Sequence, residues 1–556
     1  MSSPTTEVPM LNVQIDGVWL QFPKGTRVIE ACKQAAKFIP HYCYHEKLSS
    51  PGNCRMCLVE MGMPKMTPDR KPVLGPDGKP EIGWIPRPQI SCAQDVAEGM
   101  AIRTSSPMVE ECRKGVMEFL LINHPLDCPI CDQAGECKLQ EYSVEVGQGQ
   151  SRFLDEKVKK PKNVELGPRV TLDAERCILC TRCIRFMREV AKDDCLGIVD
   201  RGSFNSIACH PDKALESNYS LNTVDICPVG ALTSNDFRFK MRVWFLKETK
   251  TIDVNCGTGS NITISSRENV IYRITPRDNE EVNQCWLPDS HRLNFKFVAD
   301  EKRLKTPLVK GEPVEWRTAI AIAAEMLKAH SKESTAVVAS ARATNEELWL
   351  TRRLVEELEL DKQVDVVPHI GEPDGLLIAA DRNPNTSGAK LLSLTTNRPG
   401  YRLKKIVEGV RNGTIKALVV LGEDLTAAGF TEEDFAKLDA LIVVDILPNA
   451  TTAHATVLLP SSAWAEKRGS MINLKGRLQR LNKAVTAPGQ ARDDWEILRD
   501  LIQAVSGSNG LYMIEDVFKQ MAGQVKEFAE LSLSKIGDLG VQVLTAEPAK
   551  EEEAVK

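Results

Sequence analysis

The chain has 556 residues, of which 42% are hydrophobic and 26% charged, and its formal net charge is -5. This length can bury several cores and the composition is ordinary, which excludes a disulfide-stapled miniprotein, a disordered chain and a nucleic-acid binder. Apolar runs such as residues 417–421 fall far short of the roughly 20 residues that cross a bilayer. The polar start, residues 1–10, predicts no signal or transit segment, so we expect a reducing cytoplasm.

The 17 cysteines divide the chain into two chemically different parts. All of them lie between Cys32 and Cys285, and none follows. Where thiols stay reduced, cysteines at two- and three-residue spacing indicate metal or cluster ligation rather than disulfides.

The first predicted elements are a β-hairpin and a short helix. Residues 11–15 alternate between apolar and polar, Asp16-Gly17 offers a hairpin turn, and residues 18–20 resume a strand. A helical stretch follows Gly25-Thr26. Strand, hairpin and helix in this order suit a small ferredoxin-like sheet.

The first cysteine group follows this helix with the spacing C-x10-C-x2-C-x34-C. Its members are Cys43, Cys54, Cys57 and Cys92. Pro51 and Gly52 let the loop curl so that amide groups point at the sulfurs, and four thiolates suit a 2Fe–2S centre. The spacing departs from the plant-type C-x4-C-x2-C, which leaves a structural zinc ion on the same thiolates as an alternative.

The second group places four candidate ligands within fourteen residues. These are His124, Cys128, Cys131 and Cys137. Apolar residues at helical spacing between 109 and 121 predict a buried helix that leads into a loop at His124-Pro125. One imidazole and three thiolates suit zinc or a 4Fe–4S cluster equally, and only the neighbouring motifs favour iron.

The third group is the strongest signal, C-x2-C-x2-C followed at a distance by C-P. Its members are Cys177, Cys180, Cys183 and Cys227. Three cysteines at this spacing wrap one face of a 4Fe–4S cluster, and the remote Cys-Pro supplies the fourth ligand. The remaining cysteines have no partner at ligand spacing, which predicts core filling for Cys32, Cys112, Cys195, Cys209, Cys256 and Cys285.

The second half of the chain has a different pattern. Beyond about residue 244, short β-rich runs alternate with helical patterns, which predicts α/β layers with parallel strands; the runs are residues 336–339, 364–367, 417–421 and 441–444. Thr344 and Glu347 predict a capping box at the start of a helix. No G-x-G-x-x-G follows a strand and no P-loop is present, so we expect neither a flavin nor an NADH site.

The order of these motifs resembles the large iron–sulfur subunit of respiratory complex I. The resemblance covers essentially the whole chain, and the stretches that carry it are HYCYHEKLSSPGNCRMCLVEM, NHPLDCPICDQAGECKLQ, RCILCTRCIRF, DICPVGALTS, KRLKTPLV, GSMINLKGRLQR and DDWEIL. It implies a 2Fe–2S cluster on the first group and a 4Fe–4S cluster on each of the other two.

The resemblance also implies a domain order. We expect an α+β ferredoxin-like 2Fe–2S domain (1–95), a helical 4Fe–4S domain with one histidine and three cysteine ligands (96–145), a four-cysteine 4Fe–4S domain (146–245), a truncated α/β molybdopterin-oxidoreductase-like domain (246–545) and a disordered tail (546–556). Cysteine is absent after Cys285, so we expect no molybdopterin. Ser or Asp ligation keeps a catalytic molybdenum domain as an alternative.

Some bacterial members of this family carry a further 4Fe–4S cluster at the start of the next domain. Its C-x2-C-x3-C pattern and later W-x-C-D are replaced here by Asp253, Cys256, Ser260 and Pro288. One thiol of four remains, and we predict that this cluster is missing.

The function that the resemblance implies is an electron relay without an NADH or quinone site of its own. Electrons would enter the 2Fe–2S cluster from the NADH-oxidising flavoprotein subunit, pass the Cys177 cluster and leave from the His124 cluster towards quinone. Other peripheral-arm subunits would attach the chain to the cytoplasmic side of the bacterial inner membrane. The alternative is the iron–sulfur subunit of an NAD-linked hydrogenase or formate dehydrogenase, because residues 1–245 look like such a subunit.

Overall fold

A computed structural model describes residues 8–69, 71–76 and 78–545, and the predicted tail lies outside them. The described residues form two compact units, named here the N-terminal and C-terminal units. The first ends in the sequence at Phe245 and the second begins at Leu246. None of the described helices combines the length and apolar character that a bilayer crossing requires.

A six-stranded mixed sheet opens the N-terminal unit. Its strands are β1 (Met10–Ile15), β2 (Val18–Pro23), β3 (Leu58–Pro64), β4 (Ile82–Trp84), β5 (Gln89–Ile90) and β6 (Ala101–Arg103). The order is β2-β1-β6-β3-β4, with β5 paired to β3. The hairpin predicted at Asp16-Gly17 is confirmed, and helix α1 (Val28–Gln34) buries Val28 and Ala31 in the core of this sheet. Strand β6, which follows residue 95, belongs to the same sheet.

Short elements make up the rest of the N-terminal unit. Its helices are α2 (Pro107–Ile122), α3 (Lys138–Glu145), α4 (Arg182–Glu189) and α5 (Asn222–Asp225). Its strands are β7 (Val164–Glu165), β8 (Val170–Leu172), β9 (Leu196–Val199), β10 (Ser206–Cys209) and β11 (Leu232–Ser234). They form the antiparallel sheet β11-β8-β7 and the hairpin β9-β10. Ser106 caps α2 by accepting from the Val109 amide, which confirms the helix predicted ahead of His124.

The C-terminal unit begins with three antiparallel strands that no sequence pattern predicted. They are β12 (Lys247–Ile252), β13 (Asn261–Arg267) and β14 (Val270–Pro276). The short helix α6 (Asp289–Arg292) follows them.

A seven-stranded sheet forms the centre of the C-terminal unit. Its strands are β15 (Leu308–Val309), β16 (Glu312–Pro313), β17 (Thr335–Ala339), β18 (Val364–Val366), β19 (Ala417–Leu421), β20 (Ala440–Asp445) and β21 (Val457–Pro460). The order is β16-β15-β21-β20-β19-β17-β18, and β21, β20, β19, β17 and β18 are parallel, as predicted. Alternate residues of β19 enter two different hydrophobic cores, one on each face.

Helices cover both faces of this sheet. They are α7 (Trp316–Lys328), α8 (Asn345–Glu357), α9 (Thr386–Leu391), α10 (Leu403–Arg411), α11 (Glu432–Phe435), α12 (Ala450–Ala453), α13 (Asp494–Ser506) and α14 (Ile514–Gln524). A last antiparallel sheet consists of β22 (Gly469–Ile472), β23 (Arg477–Leu481) and β24 (Val541–Gln542). The capping box predicted for α8 is confirmed, with Thr344 and Glu347 bonding each other's backbone amides at 3.3 and 2.8 Å.

Candidate metal centres

The first predicted ligand set comes together in the N-terminal unit, between α1 and the strands that follow it. Cys43, Cys57 and Cys92 are buried and Cys54 is half-buried. The Cys43 amide donates to Cys54 Sγ at 3.5 Å, and the Cys92 thiol contacts the thiols of Cys43 and Cys57. These contacts join the four sulfurs into one group.

The loop around these sulfurs uses backbone conformations that favour glycine. Gly52 has φ +62°, and a Cβ added there would meet Ile90 Cδ1 at 2.8 Å. Arg55 also has a positive φ, 59°. The tight curl predicted at Gly52 is therefore present, and a larger residue at this position would have a strained backbone and would require the Ile90 side chain to shift.

The second predicted ligand set surrounds a cavity after α2. His124, Cys128, Cys131 and Cys137 all line it. The His124 Nδ1 atom is buried and has no hydrogen-bond partner among the described residues. Burial lowers the pKa of His124 to about 4, so the imidazole is neutral near pH 7, the form that binds metals. Cys128 is exposed, whereas Cys131 and Cys137 are buried.

The third predicted ligand set surrounds a second cavity. Cys177, Cys180, Cys183 and Cys227 line it, and most of its other wall is apolar. The backbone between the first three wraps inwards through positive φ angles of 55° at Leu179 and 62° at Thr181. The Leu179 amide donates to Cys177 Sγ at 3.4 Å.

Burial makes these thiols poor acids. It raises the pKa of Cys177 and Cys227 to about 11 and that of Cys180 to about 12. Four sulfurs that converge in a dry site become thiolates only where cations replace their protons. The donor set and the cavity fit an iron–sulfur cluster, although the assignment of a cluster to each residue stays a prediction.

An arginine joins the first site to the third. Arg185 of α4 is buried and donates to the carbonyl of Cys43 and to that of Cys180, the latter at 3.4 Å. Asn53 donates to the Leu179 carbonyl at 3.2 Å in the same region. One guanidinium group therefore holds the backbones of two ligand loops together.

A second junction joins the third site to the second. The segment 227–230 leaves Cys227 and runs past the second ligand set, where the Lys138 amide donates to the Pro228 carbonyl at 3.1 Å. A Cβ added to Gly230 would lie 2.2 Å from Cys131 Sγ, so only glycine fits there. The third site, last in sequence, thus contacts both of the others.

An aromatic pair also connects the surroundings of the first and second sites. Tyr42, which precedes Cys43, packs on Tyr142 of α3 with ring centroids 5.2 Å apart. Arg185, Gly230 and this pair were not predicted from the sequence. Gly230 lies in the quoted stretch DICPVGALTS, but no pattern in the sequence marks Arg185.

The six remaining cysteines stay outside the three sites. Cys32, Cys195 and Cys256 are buried, and the other three are half-buried. Burial raises the pKa of Cys32 to about 12, as expected for a thiol that fills a core. Cys256 lies beside Asp253 and His291.

The C-terminal unit contains a cavity of about 580 Å³ at the carboxyl ends of its parallel strands. This is the position where open α/β sheets bind ligands. Five of the residues that line it are acidic, namely Glu347, Glu423, Asp424, Asp445 and Asp494. Only three, Arg342, Arg382 and Lys467, are permanently basic.

The helix terminus beside this cavity is already occupied by a carboxylate of the chain. Glu347 accepts from the Thr344 amide at the start of α8 and pairs with Lys467 at 2.8 Å. Lys467 also pairs with Asp494 at 2.6 Å. A helix N-terminus that follows a strand is the usual anion site of such folds. These residues do not fit an anionic, phosphate-bearing pterin cofactor.

Five protein-family models match consecutive parts of the chain. They are the 2Fe-2S iron-sulfur cluster binding domain (residues 9–107), the NADH-ubiquinone oxidoreductase-G iron-sulfur binding region (113–152), the NADH-quinone oxidoreductase subunit 3 ferredoxin-like domain (167–233), the NADH-ubiquinone oxidoreductase NDSU1/NuoG-like 4Fe-4S domain (246–296) and the molybdopterin oxidoreductase (364–504). The fold and these matches define the chain as an iron–sulfur protein whose second half is of the molybdopterin-oxidoreductase type.

Curated relatives identify the family. The G subunit of NADH-quinone oxidoreductase from Rickettsia felis is 31% identical over 94% of this chain and 92% of its own length. The protein of the same name in Rickettsia bellii is 40% identical over 94% and 90%. The mitochondrial NADH dehydrogenase [ubiquinone] iron-sulfur protein 1 of Solanum tuberosum is 41% identical over 63% of this chain and 45% of its own. The chain belongs to the family of NADH-quinone oxidoreductase G subunits.

Solved structures are also similar in part. One example is an NAD+-reducing [NiFe]-hydrogenase in the H2-reduced state, 24% identical, covering 42% of this chain and 91% of that chain with a TM-score of 0.35.

Proposed function

We propose that this subunit of an NADH-quinone oxidoreductase relays electrons through one 2Fe–2S and two 4Fe–4S sites. The observation that carries the proposal is the contact between the three ligand sets. Arg185 bonds the backbones of the first and third sets, and the segment 227–230 belongs to the third and touches the second. A relay requires such continuity, whereas three independent structural sites would not.

The ligands proposed for the clusters are those of the three groups. The 2Fe–2S cluster is assigned to Cys43, Cys54, Cys57 and Cys92. The two 4Fe–4S clusters are assigned to His124, Cys128, Cys131 and Cys137 and to Cys177, Cys180, Cys183 and Cys227. When bound, such clusters supply one-electron oxidation and reduction without making or breaking bonds in a substrate.

Buried guanidinium groups of the chain stabilise negative charge at these sites. Arg185 lies beside the carbonyls of Cys43 and Cys180, and the charge of Arg176, also buried, opposes the rise in the pKa of Cys131 that burial causes. Asp127 and Asp173 hold Arg176 in place at 3.0 and 3.2 Å. A positive charge in a low-dielectric site favours the reduced, more negative state of a nearby centre.

The partners and the place of the chain are part of the same proposal. We propose that the NADH-oxidising flavoprotein subunit docks near the first site, and that other peripheral-arm subunits accept electrons and hold the chain at the cytoplasmic side of the bacterial inner membrane. The chain itself would bind neither NADH, flavin nor quinone. Its C-terminal unit would act as a scaffold without molybdopterin, which the acidic cavity and the self-capped helix α8 support.

The alternative of a hydrogenase or formate dehydrogenase subunit concerns only residues 1–245. The relatives named as G subunits of NADH-quinone oxidoreductase match 94% of the chain, including the C-terminal unit. This match favours the complex I function over the alternative.

The test is a count of irons and of electron paramagnetic resonance signals in the anaerobically purified chain. We expect about ten irons and three distinct clusters. Cys180→Ser should remove about four irons and one 4Fe–4S signal, and it should slow reduction of the remaining 4Fe–4S cluster by a donor that reduces the 2Fe–2S cluster. Cys209→Ser, a thiol outside the three sites, is the control and should change neither.

Two results would contradict the proposal. One is an unchanged iron content in Cys180→Ser. The other is loss of the predicted cluster while the His124 site is reduced at the original rate, since the third site would then lie off the path.

A further inference from the structure

The start of the C-terminal unit brings three ligand-type side chains together. Asp253, Cys256 and His291 are buried, and their ligand atoms all lie within 4.8 Å of one another. His291 Nδ1 lies 2.7 Å from Asp253 Oδ2. The Cys256 thiol donates to the Leu377 carbonyl at 3.6 Å. A carboxylate, a thiol and an imidazole therefore meet inside the core of this unit.

These side chains do not fit the cluster that the family model of residues 246–296 names. A 4Fe–4S cluster is held by four ligands, predominantly thiolates. The group at Asp253 contains one thiol, and the other cysteine of this segment, Cys285, is not part of it. A serine and a proline, Ser260 and Pro288, stand at the two remaining positions.

We propose that Asp253, Cys256 and His291 bind a single zinc ion. One oxygen, one nitrogen and one sulfur form a set that Zn²⁺ accepts in tetrahedral geometry, whereas Mg²⁺ and Ca²⁺ prefer oxygen alone. The Leu377 carbonyl, already in contact with the Cys256 thiol, or a water molecule completes the tetrahedron. Zinc replaces the thiol proton of Cys256, which leaves to solvent, and no electron is exchanged.

The bound ion has a structural role. Asp253 directly follows strand β12, and His291 belongs to helix α6, so the ion links the first hairpin of the unit to this helix. The loop between Asp253 and Ser260 is already closed by a hydrogen bond of 2.8 Å from the Asp253 amide to the Ser260 carbonyl. A short closed loop presents its ligands with little loss of conformational freedom.

The experiment measures zinc in the full chain with its iron–sulfur clusters in place. Elemental analysis should give about one zinc per chain in addition to the iron. Zinc K-edge X-ray absorption should show one sulfur at about 2.3 Å and two or three nitrogen or oxygen atoms at about 2.0–2.2 Å. This edge reports on zinc alone, so the clusters do not interfere.

Variants assign the ion to these residues. Cys256→Ala should lower the zinc content at least about tenfold and leave the iron content unchanged. His291→Gln, which can still donate to Asp253, should lower it as well and provides a second test if the first variant does not fold. Cys285→Ala removes the other thiol of the segment and should retain the zinc.

Three outcomes would overturn the proposal. Less than about a tenth of a zinc per chain would mean that the three side chains form only a hydrogen-bonded core group. A shell of four sulfurs would place zinc on the thiols of the iron–sulfur sites instead. An iron content near about fourteen that falls to about ten in Cys256→Ala would assign a cluster to this position. The iron measurements test the proposed electron relay and the zinc measurements test the proposed zinc site, so either proposal can fail without the other.

Discussion

The two units of this chain reach a stable interior in different ways. The C-terminal unit has a seven-stranded sheet between two hydrophobic cores, and its strands β19 and β20 are buried along their whole length. Beyond its first sheet, the N-terminal unit has strands of two to four residues, and its three ligand sets form two cavities and one buried sulfur group. Apolar burial stabilises the C-terminal unit. Beyond its first sheet, we expect the N-terminal unit to depend on the groups proposed to bind its thiols.

Removal of iron should produce the largest difference between the units. We expect a strong chelator with anaerobic reductant to unfold residues 170–234, because metal binding supplies much of the folding free energy of such sites. Hydrogen exchange should show lost protection in β8, α4 and β11 and unchanged protection in β19 and β20, which serve as the internal reference. Retained protection of α4 after complete loss of iron would contradict the comparison.

The converse experiment destabilises the C-terminal unit alone. Lys467 is buried and pairs with Glu347 and Asp494 at 2.8 and 2.6 Å, so Lys467→Met leaves two carboxylates without a counter-charge. We expect the free energy of unfolding of this unit to fall by about 3–5 kcal/mol, measured by urea titration with hydrogen exchange at β19 and β20.

A matched control distinguishes the loss of a buried ion pair from the loss of an exposed one. Arg352 pairs with Glu356 at 2.9 Å on the exposed face of α8, and Arg352→Ala should cost about 0.5 kcal/mol or less. The iron content should stay the same in both variants. A fall in iron after Lys467→Met would show that the units do not stabilise themselves separately.

A smaller, pH-dependent effect sharpens the comparison further. Burial raises the pKa of Glu346 to about 7, from 4.5 in an unfolded chain. Between these values the folded state keeps a proton that the unfolded state releases, so the free energy of unfolding decreases as pH rises from 4.5 through 7. The contribution is about 3 kcal/mol over this range.

Glu346→Gln tests this contribution. The amide oxygen can still accept from Ser470, whose amide and hydroxyl bond the carboxylate at 2.9 and 2.8 Å. Glu347 and Asp445 of this unit also have raised pKa values, of about 7 and about 6, so the variant should reduce, without abolishing, the decrease of stability with pH between about 5 and 7 in urea titrations of the C-terminal unit. The exposed Glu356→Gln should leave the dependence unchanged, and an equal slope in wild type and Glu346→Gln would refute the assignment.

Much of the fold was predictable because its signals are local. The hairpin of β1 and β2 has alternating apolar residues and a turn at Asp16-Gly17, and the parallel strands β19 and β20 contain continuous apolar runs. The three-stranded sheet β12–β14 has a much weaker signal. Strand β12 reads KETKTI with one apolar residue, and β13 has only Ile262 and Ile264 beside buried serine and asparagine.

The ligand groups were predictable for a similar reason, since closely spaced cysteines are visible within a few residues. The contacts between the ligand groups were not predictable from the sequence. Arg185 donates to carbonyl groups that lie 136 and 142 residues away in sequence. Every residue has a backbone carbonyl group, so no residue type in the sequence marks these acceptors. Asp253 and His291 are likewise 38 residues apart and meet only because α6 folds back towards the end of β12.

The glycine at position 230 determines what separates two of the sites. Because no side chain fits between Gly230 and Cys131 Sγ, a single layer of backbone separates the third site from the second at this point. Electron tunnelling weakens steeply with each gap through space and far less along covalent bonds. The path from Cys227 along the backbone to Gly230 offers bonds for most of its length and one van der Waals contact at its end. Replacing this glycine would therefore change the tunnelling medium itself, even with every ligand in place.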